Sequence, residues 1–467
     1  MQHSSLLKKV FVAGTFCLGT FLIQAQALFH TETNSPGGEE QNEAVIRSSD
    51  NTIVTAGWYY SGTTLTNDLL LTKQDMNGTV IWSRTYADAG GNNEMGIDLM
   101  QDAAGNYVVV GNINDGTSFG MLLAKFDVNG NFLFSKKYTY GANASAEGIV
   151  QTPDGNYVIA GHTSGGPTTS SILVIKTDQL GDTLWTKNIS ASGIGEYSHD
   201  IVNTPDGGLA IIGDVDVSGT VYHFFLMKLN ATGNYQWSNT YSGGLGNDLA
   251  YELSVTSDGN FIVTGTSDNY GAVSGDLLIA KLDSTGGVIF SNIYGIGMFN
   301  AGYSVQETFD GGFIATGIMD DVGDEAAGFI KVDDTGTIEY AQRFNIGPTG
   351  FNEAIAGVVQ LSDSSYAFAG NGNNSAVAMR IGKTGNSCNG TAISPTQNSA
   401  PYAPNAEVLD YESAASSLTV ASESLVQEDV IDIYKACEIW FPLAYTTVTN
   451  NVVCQGTCLT FNNYGAT

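Results

Sequence analysis

Glu147-Gly-Ile-Val-Gln-Thr-Pro-Asp-Gly-Asn-Tyr-Val-Ile-Ala-Gly161, with Ile172-Leu-Val-Ile-Lys176-Thr-Asp-Gln-Leu-Gly181-Asp-Thr-Leu-Trp185 after it, is one copy of a unit that recurs along the chain. Its apolar run closing on Gly returns at Gly57, Gly111, Gly161, Gly213, Gly265, Gly317 and Gly370, at spacings of 54, 50, 52, 52, 52 and 53 residues. A second run closes on Lys73, Lys125, Lys176, Lys228, Lys281, Lys331 and Arg380, and a turn glycine follows at 78, 130, 181, 233, 286, 336 and 385. Four residues beyond the first six of these glycines stand Trp82, Phe134, Trp185, Trp237, Phe290 and Tyr340. Only repeated copies of one supersecondary unit keep such a register.

Each copy reads as four short strands. The runs are rich in Val, Ile, Phe and Tyr, are too short for helices, and are divided by Gly, Asn, Asp and Ser. The two middle strands are nearly continuous in apolar residues, as in Tyr157-Val-Ile-Ala, the pattern of strands covered on both faces. The unit is therefore a blade that must pack against neighbours. The seventh copy lacks its aromatic strand, since Asn389 stands four after Gly385, while Leu28-Phe-His-Thr-Glu-Thr at the other end matches Leu184-Trp-Thr-Lys-Asn-Ile. The expected fold is all-β: a seven-bladed β-propeller of four-stranded blades over residues 28–388, in which 28–33 complete blade seven and Phe29 takes the aromatic position. Closure removes exposed sheet edges.

Residues 1–27 carry Lys8 and Lys9, an apolar stretch from Val10 to Ile23, and Ala25-Gln26-Ala27. This is the pattern of a cleaved signal peptide, and the stretch is short for a membrane span. Its loss leaves 15 Lys and Arg against 47 Asp and Glu, a formal −32. A secreted, extracellular or outer-surface protein with no transmembrane segment is expected, monomeric as a propeller within a longer chain. Nucleic acid is excluded by charge.

Beyond the repeat, residues 389–407 have a linker composition, 408–445 contain runs for a small β element, and 446–467 would begin another module. Four cysteines remain after signal removal. An exported chain with an even count favours disulfides, here paired Cys388 with Cys437 and Cys454 with Cys458, with a four-Cys zinc site as the rival.

The Asp-Gly-Asn/Gly-Tyr/Phe-x-x-x-Gly and Lys-x-Asp-x-x-Gly motifs, with the tail from Val453 to Thr467, make the chain resemble large secreted Bacteroidota proteins. These join such a propeller to PKD-like, immunoglobulin-type modules. The resemblance implies export to the cell surface or medium, and brings no catalytic residues. The Lys-x-Asp-x-x-Gly-x-x-x-Trp run is also similar to the hairpin of quinone-cofactor propellers, but this chain has no adjacent cysteine pair.

Recurring residues suit structure, and unique ones suit function. The cations closing the third strands recur in every copy and are assigned to turn stabilisation. The second connection of each blade and the crossover to the next are long and variable, which makes their shared face the candidate recognition surface. There Trp58, Tyr59 and Tyr60 form an aromatic cluster, joined by Tyr270, that can stack on sugars, anchor a protein or simply cover loops. Asp320, Asp321, Asp324 and Glu325 crowd one loop and offer oxygens to Ca²⁺, although the full calcium-loop pattern is absent. His162 and His223 lie near the same face, whereas His199-Asp200 begins a blade. Gly116-Thr-Ser118-Phe-Gly120 fits the nucleophile-elbow formula without its strand–turn–helix context. The leading expectation is a noncatalytic adhesion protein for an extracellular polysaccharide or protein. The competing one is a carbohydrate-active enzyme, a glycosidase or lyase, using acidic residues on that face.

Overall fold

The computed structural model describes residues 27–33, 39–62, 64–88, 90–141, 143–164, 170–190, 195–269, 275–295, 297–320, 326–344, 353–372, 375–385, 387, 390–399, 403–405, 412–414, 419–423, 425–429 and 433–440. Every regular element among them is a β-strand. Six four-stranded antiparallel units follow one another. The first strands are Glu39–Arg47, Asn93–Gln101, Asn143–Gln151, Glu196–Asn203, Asp248–Val255 and Asn300–Glu307. A last unit has three strands, Ala354–Gln360, Tyr366–Gly372 and Ser375–Ile381, and the N-terminal Ala27–Thr33 pairs antiparallel with the third, Phe29 opposite Arg380.

The continuous apolar runs are explained by what each sheet face meets. Along the second strand of unit three, Tyr157 and Ile159 pack toward unit two, with Val110 and Leu123. Val158 and Ala160 point the other way, into the cluster of unit four with Ile211 and Phe225. Both faces are thus sandwiched, and each such Leu, Ile or Phe contributes about 1.5–3 kcal/mol on burial. The first strands contact one another in order from unit one to the last, and the last unit's first strand also contacts that of unit one. At this seam Ile53, Leu361 and Ala367 form a small shared core with Val45 and Met76 packed on it, and Asn42 Nδ2 donates to Val377 O at 3.1 Å.

Two polar latches repeat. The cation closing each third strand reaches an Asp of the hairpin between the first and second strands of its unit, as in Lys73 to Asp50 at 2.6 Å, Lys176 to Asp154 at 2.6 Å, Lys228 to Asp206 at 3.0 Å, and Arg380 to Asp363. The Asp two residues after five of these lysines accepts backbone N–H groups within its own turn, as Asp127 does from Asn129 and Asn131. Between units, a fourth-strand tyrosine donates to the turn-glycine carbonyl of the next: Tyr86 to Gly130, Tyr138 to Gly181, Tyr241 to Gly286 and Tyr294 to Gly336, at 2.5–2.7 Å. The aromatic four residues past each turn glycine rests on the following turn glycine. A Cβ on Gly233 would stand 2.5 Å from the Trp185 ring, and its φ of +75° disfavours other residues.

The described strands between residues 390 and 440 take the units in reverse order. Gly390–Ile393 pairs with the fourth strand of unit six, Thr396–Ser399 with unit five, Ala403–Asn405 with unit four, and Glu412–Ala414 with unit three. Thr419–Glu423 and Leu425–Asp429 pair with units two and one, and Ile433–Trp440 with the N-terminal strand. Reading 389–407 as a linker and 408–445 as a separate element did not anticipate this. Strands of three to eight residues carry little periodic signal, and only the edges they meet define them.

Candidate functional site at the inner strands

The glycine that ends each second strand has a geometric cause. The first strand opposite it carries one extra residue, a β-bulge, at Glu43, Ile97, Glu147, His199, Tyr251, Tyr303 and Ala356. A Cβ on Gly161 would lie 1.9 Å from the Ser145 carbonyl oxygen, and the six equivalent glycines are as tight. The glycine admits the bulge, and the bulge re-aims one side chain of the inner strand.

These re-aimed side chains meet the residues that follow the glycines. Trp58 Nε1 donates to Glu43 Oε1 at 3.3 Å. His162 Nδ1 is 3.6 Å from Glu147 Oε1, whose other neighbour is the Ser145 hydroxyl at 2.6 Å. His199 Nε2 is 2.7 Å from Asp214 Oδ2. Rings continue the line: His162 lies edge-on to Tyr197 at 5.3 Å, Tyr197 is 6.3 Å from Tyr222, His199 is 5.5 Å from Tyr251, and Tyr251 is 5.5 Å from Tyr303. His199 keeps 24% of its side-chain surface accessible and Asp214 6%. The pair is within reach of water, yet shielded.

The charges interact. Burial raises the Glu43 carboxyl above its ordinary pKa, opposed by the Trp58 N–H and assisted by Glu147. Burial likewise raises Glu147 against the Ser145 hydroxyl and His199. Burial and the charge of His199 push His162 down to about 4, leaving it neutral. For His199 burial acts downward, but Asp214, with Glu147 and Asp200, outweighs it and holds the pKa above the usual value.

One residue further along the inner strands lies a second tier. Asp98 Oδ2 accepts Ile149 N–H of the next unit at 2.8 Å, Asp200 Oδ2 accepts Leu253 N–H at 3.0 Å, and Ser304 Oγ accepts Val358 N–H at 3.1 Å. Burial raises Asp98 to about 6, against the two backbone donors. Asp200 and Glu252 are raised by burial and by neighbouring carboxylates. The described first strands hold eleven Asp and Glu against one Arg, Arg47, and His199.

Of the candidates from sequence, Trp58 and His162 join this cluster through Glu43 and Glu147. Tyr59 and Tyr60 are half-buried and continue the ladder, because the second strand of unit one runs to Ser61 and its third begins at Thr66. Three consecutive aromatics favour that extension over a loop. His223 sits on the third strand of unit four, opposite Val215. Asp320 is buried, its backbone bonded to Met298 and Phe299. Tyr270, Asp321, Asp324, Glu325, Cys388, Cys454 and Cys458 lie outside the described residues, as does the Cys437 side chain. Among the described residues no group of three or more His, Cys, Asp or Glu is arranged to hold a metal ion. Ser118 lies in a loop between two strands, its N–H on Asp115.

Sequence reasoning missed Glu43, Glu147, His199, Tyr251 and Tyr303, and set His199 aside as the start of a blade. A signal was present: each stands fourteen residues ahead of a repeat glycine.

No protein-family model matches the chain, and no curated protein matches it. Among solved structures it is similar to a polysaccharide lyase of family PL25, an ulvan lyase, at 9% identity over 79% of this chain and 98% of that one, TM-score 0.47. It is also similar to Chaetomium thermophilum Sqt1, at 12% identity over 76% and 97%, TM-score 0.43. A third is Drosophila Plexin A in complex with Semaphorin 1b, at 8% over 76% and 87%, TM-score 0.42.

Proposed function

We infer that the chain is an exported, noncatalytic binding protein. Its repeat is a seven-bladed propeller sealed by residues 27–33, and its inner rim receives an extracellular polysaccharide or protein. Unbroken contact between first strands, including last against first, supports the closed form. Lys8, Lys9 and the run from Val10 to Ile23 support export.

One observation carries the binding reading. Trp58, Tyr197, Tyr251 and Tyr303 come from four different repeats and sit in three neighbouring groups, Trp58 with Glu43, Glu147 and His162 with Tyr197 and Tyr222, and Asp214 and His199 with Tyr251 and Tyr303, which act on one another through the charges of Glu147 and His199. Aromatic faces beside hydrogen-bonding acids and histidines suit sugar rings and their hydroxyls. The acidic surplus of the first strands selects against polyanionic chains, so a neutral glycan fits best. Binding of neutral polysaccharides by isothermal titration, with Trp58→Ala and Tyr251→Ala lowering affinity at least tenfold and no new reducing ends, is the expected result. Unchanged affinity in both variants would refute the reading.

A second reading has its own observation. Burial raises the pKa of both Glu43 and Glu147, and the Glu147 charge raises Glu43 further; two carboxyls set apart by their surroundings are what a glycosidase uses as acid and base. Release of reducing ends that Glu147→Gln abolishes would favour that reading.

A further inference from the structure

We propose that residues 390–440 are a built-in edge cap that keeps the outer strands from pairing with a second copy of this chain. Two observations meet here. The first is order: seven short tail strands take the fourth-strand edges of units six, five, four, three, two and one in turn, then the edge of the N-terminal strand. An open edge is a row of unpaired N–H and C=O groups, a template for another chain.

The second is extent. On the fourth strands the tail pairs only with the C-terminal part, as in Arg84–Asp88 of Val80–Asp88, Ser135–Thr139 of Phe132–Thr139, Asn188–Ser190 of Thr183–Ser190 and Asn292–Gly295 of Val288–Gly295, whereas the N-terminal strand is paired from Ala27 to Thr33. The uncovered parts present Ile81, Leu133, Leu184 and Ile289, each about half exposed. With the tail lifted, the fourth-strand edges become continuous strands of seven to nine residues with an apolar or aromatic side chain near the start. A matching edge on a second copy satisfies the same backbone groups and covers the same side chains. Seated, the tail shortens the free edge of units one, two, three and five to three to five residues, at the short end of strand lengths, and so weakens any competing pairing.

The test uses the full chain. Proline removes a ladder N–H, and paired substitutions at neighbouring positions ensure that one of each pair faces the edge. Ala421→Pro with Ser422→Pro, and Val426→Pro with Gln427→Pro, unseat the strands on units two and one. By sedimentation the unaltered chain is expected to be monomeric. The four-proline variant is expected to at least double in mass while keeping its near-ultraviolet circular dichroism, and excess synthetic peptide Thr419–Asp429 to return it to monomer. A variant that stays monomeric, or whose association ignores the peptide, overturns the proposal. Hydrogen exchange on the unaltered chain gives a reading that needs no variant. Outward-facing amides of 84–88 and 135–139 should exchange at least tenfold more slowly than those of 80–82 and 132–134, and equal rates overturn it.

Discussion

His199 Nε2 stands 2.7 Å from Asp214 Oδ2, joining a residue bulged out of one strand to the residue just past the glycine of its partner. Burial alone would drive the imidazole toward neutrality, and the Asp214 carboxylate reverses that. Asp214→Asn should therefore lower the His199 pKa below its wild-type value. A titration of the His199 ring signals by NMR reads this directly, and an unmoved midpoint would mean that the pair is not formed in solution.

The second tier makes stability fall with rising pH. A carboxyl whose pKa is higher folded than unfolded binds its proton more tightly in the folded state. Its contribution is complete below the unfolded value near 4 and is lost as pH passes the folded value, about 6 for Asp98. Urea midpoints should drop between pH 4 and pH 7. Asp98→Asn should remove roughly 1–3 kcal/mol of that drop, flattening the curve without abolishing it, since Asp200 and Glu252 titrate the same way.

Arg380 is the one cation of its set that also crosses the seam: it donates to Asp363 and to the Met76 carbonyl of unit one. Arg380→Met keeps much of the stem and removes both contacts. The expected cost is about 2 kcal/mol in urea unfolding, less than for a fully buried pair because Asp363 is partly exposed. Amide exchange should accelerate first in 27–33 and 375–381.

Tyr138 reaches over the unit boundary to the Gly181 carbonyl at 2.7 Å. Tyr138→Phe keeps the ring and leaves that carbonyl without this donor, at a cost of about 1 kcal/mol. Gly161→Ala should cost more, roughly 3 kcal/mol or above, because its Cβ meets the Ser145 carbonyl and the bulge must flatten. The same substitution should draw Glu147 away from His162 and weaken ligand binding, which thermal unfolding and titration calorimetry would separate.

The sheets were legible because their cause is local. Gly161, Lys176, Gly181 and Trp185 mark strand ends, and a turn or close approach demands each of those residue types. Pairing of Phe29 with Arg380 was also readable, since an orphan strand at one end matched a vacancy at the other. The inner cluster was harder. Glu43, Glu147, His199 and Tyr251 share a position but no chemistry, so a search for recurring residue types passes over them and only a search by register finds them. Reading Trp58 to Asn67 as a loop failed because Trp58, Tyr59 and Tyr60 prolong a strand whose partner, Glu39–Gln41, was not aligned with them. Runs for strands were read in 408–445, where Thr419–Glu423 and Ile433–Trp440 lie, but the edges they meet were beyond reach.

Because the strand at residues 27–33 finds its mate at 376–380, a segment made early must wait for one made some 350 residues later. Until residue 380 is made that ladder has no partner, and forming it takes a search across some 350 residues, the slow regime for non-local pairing.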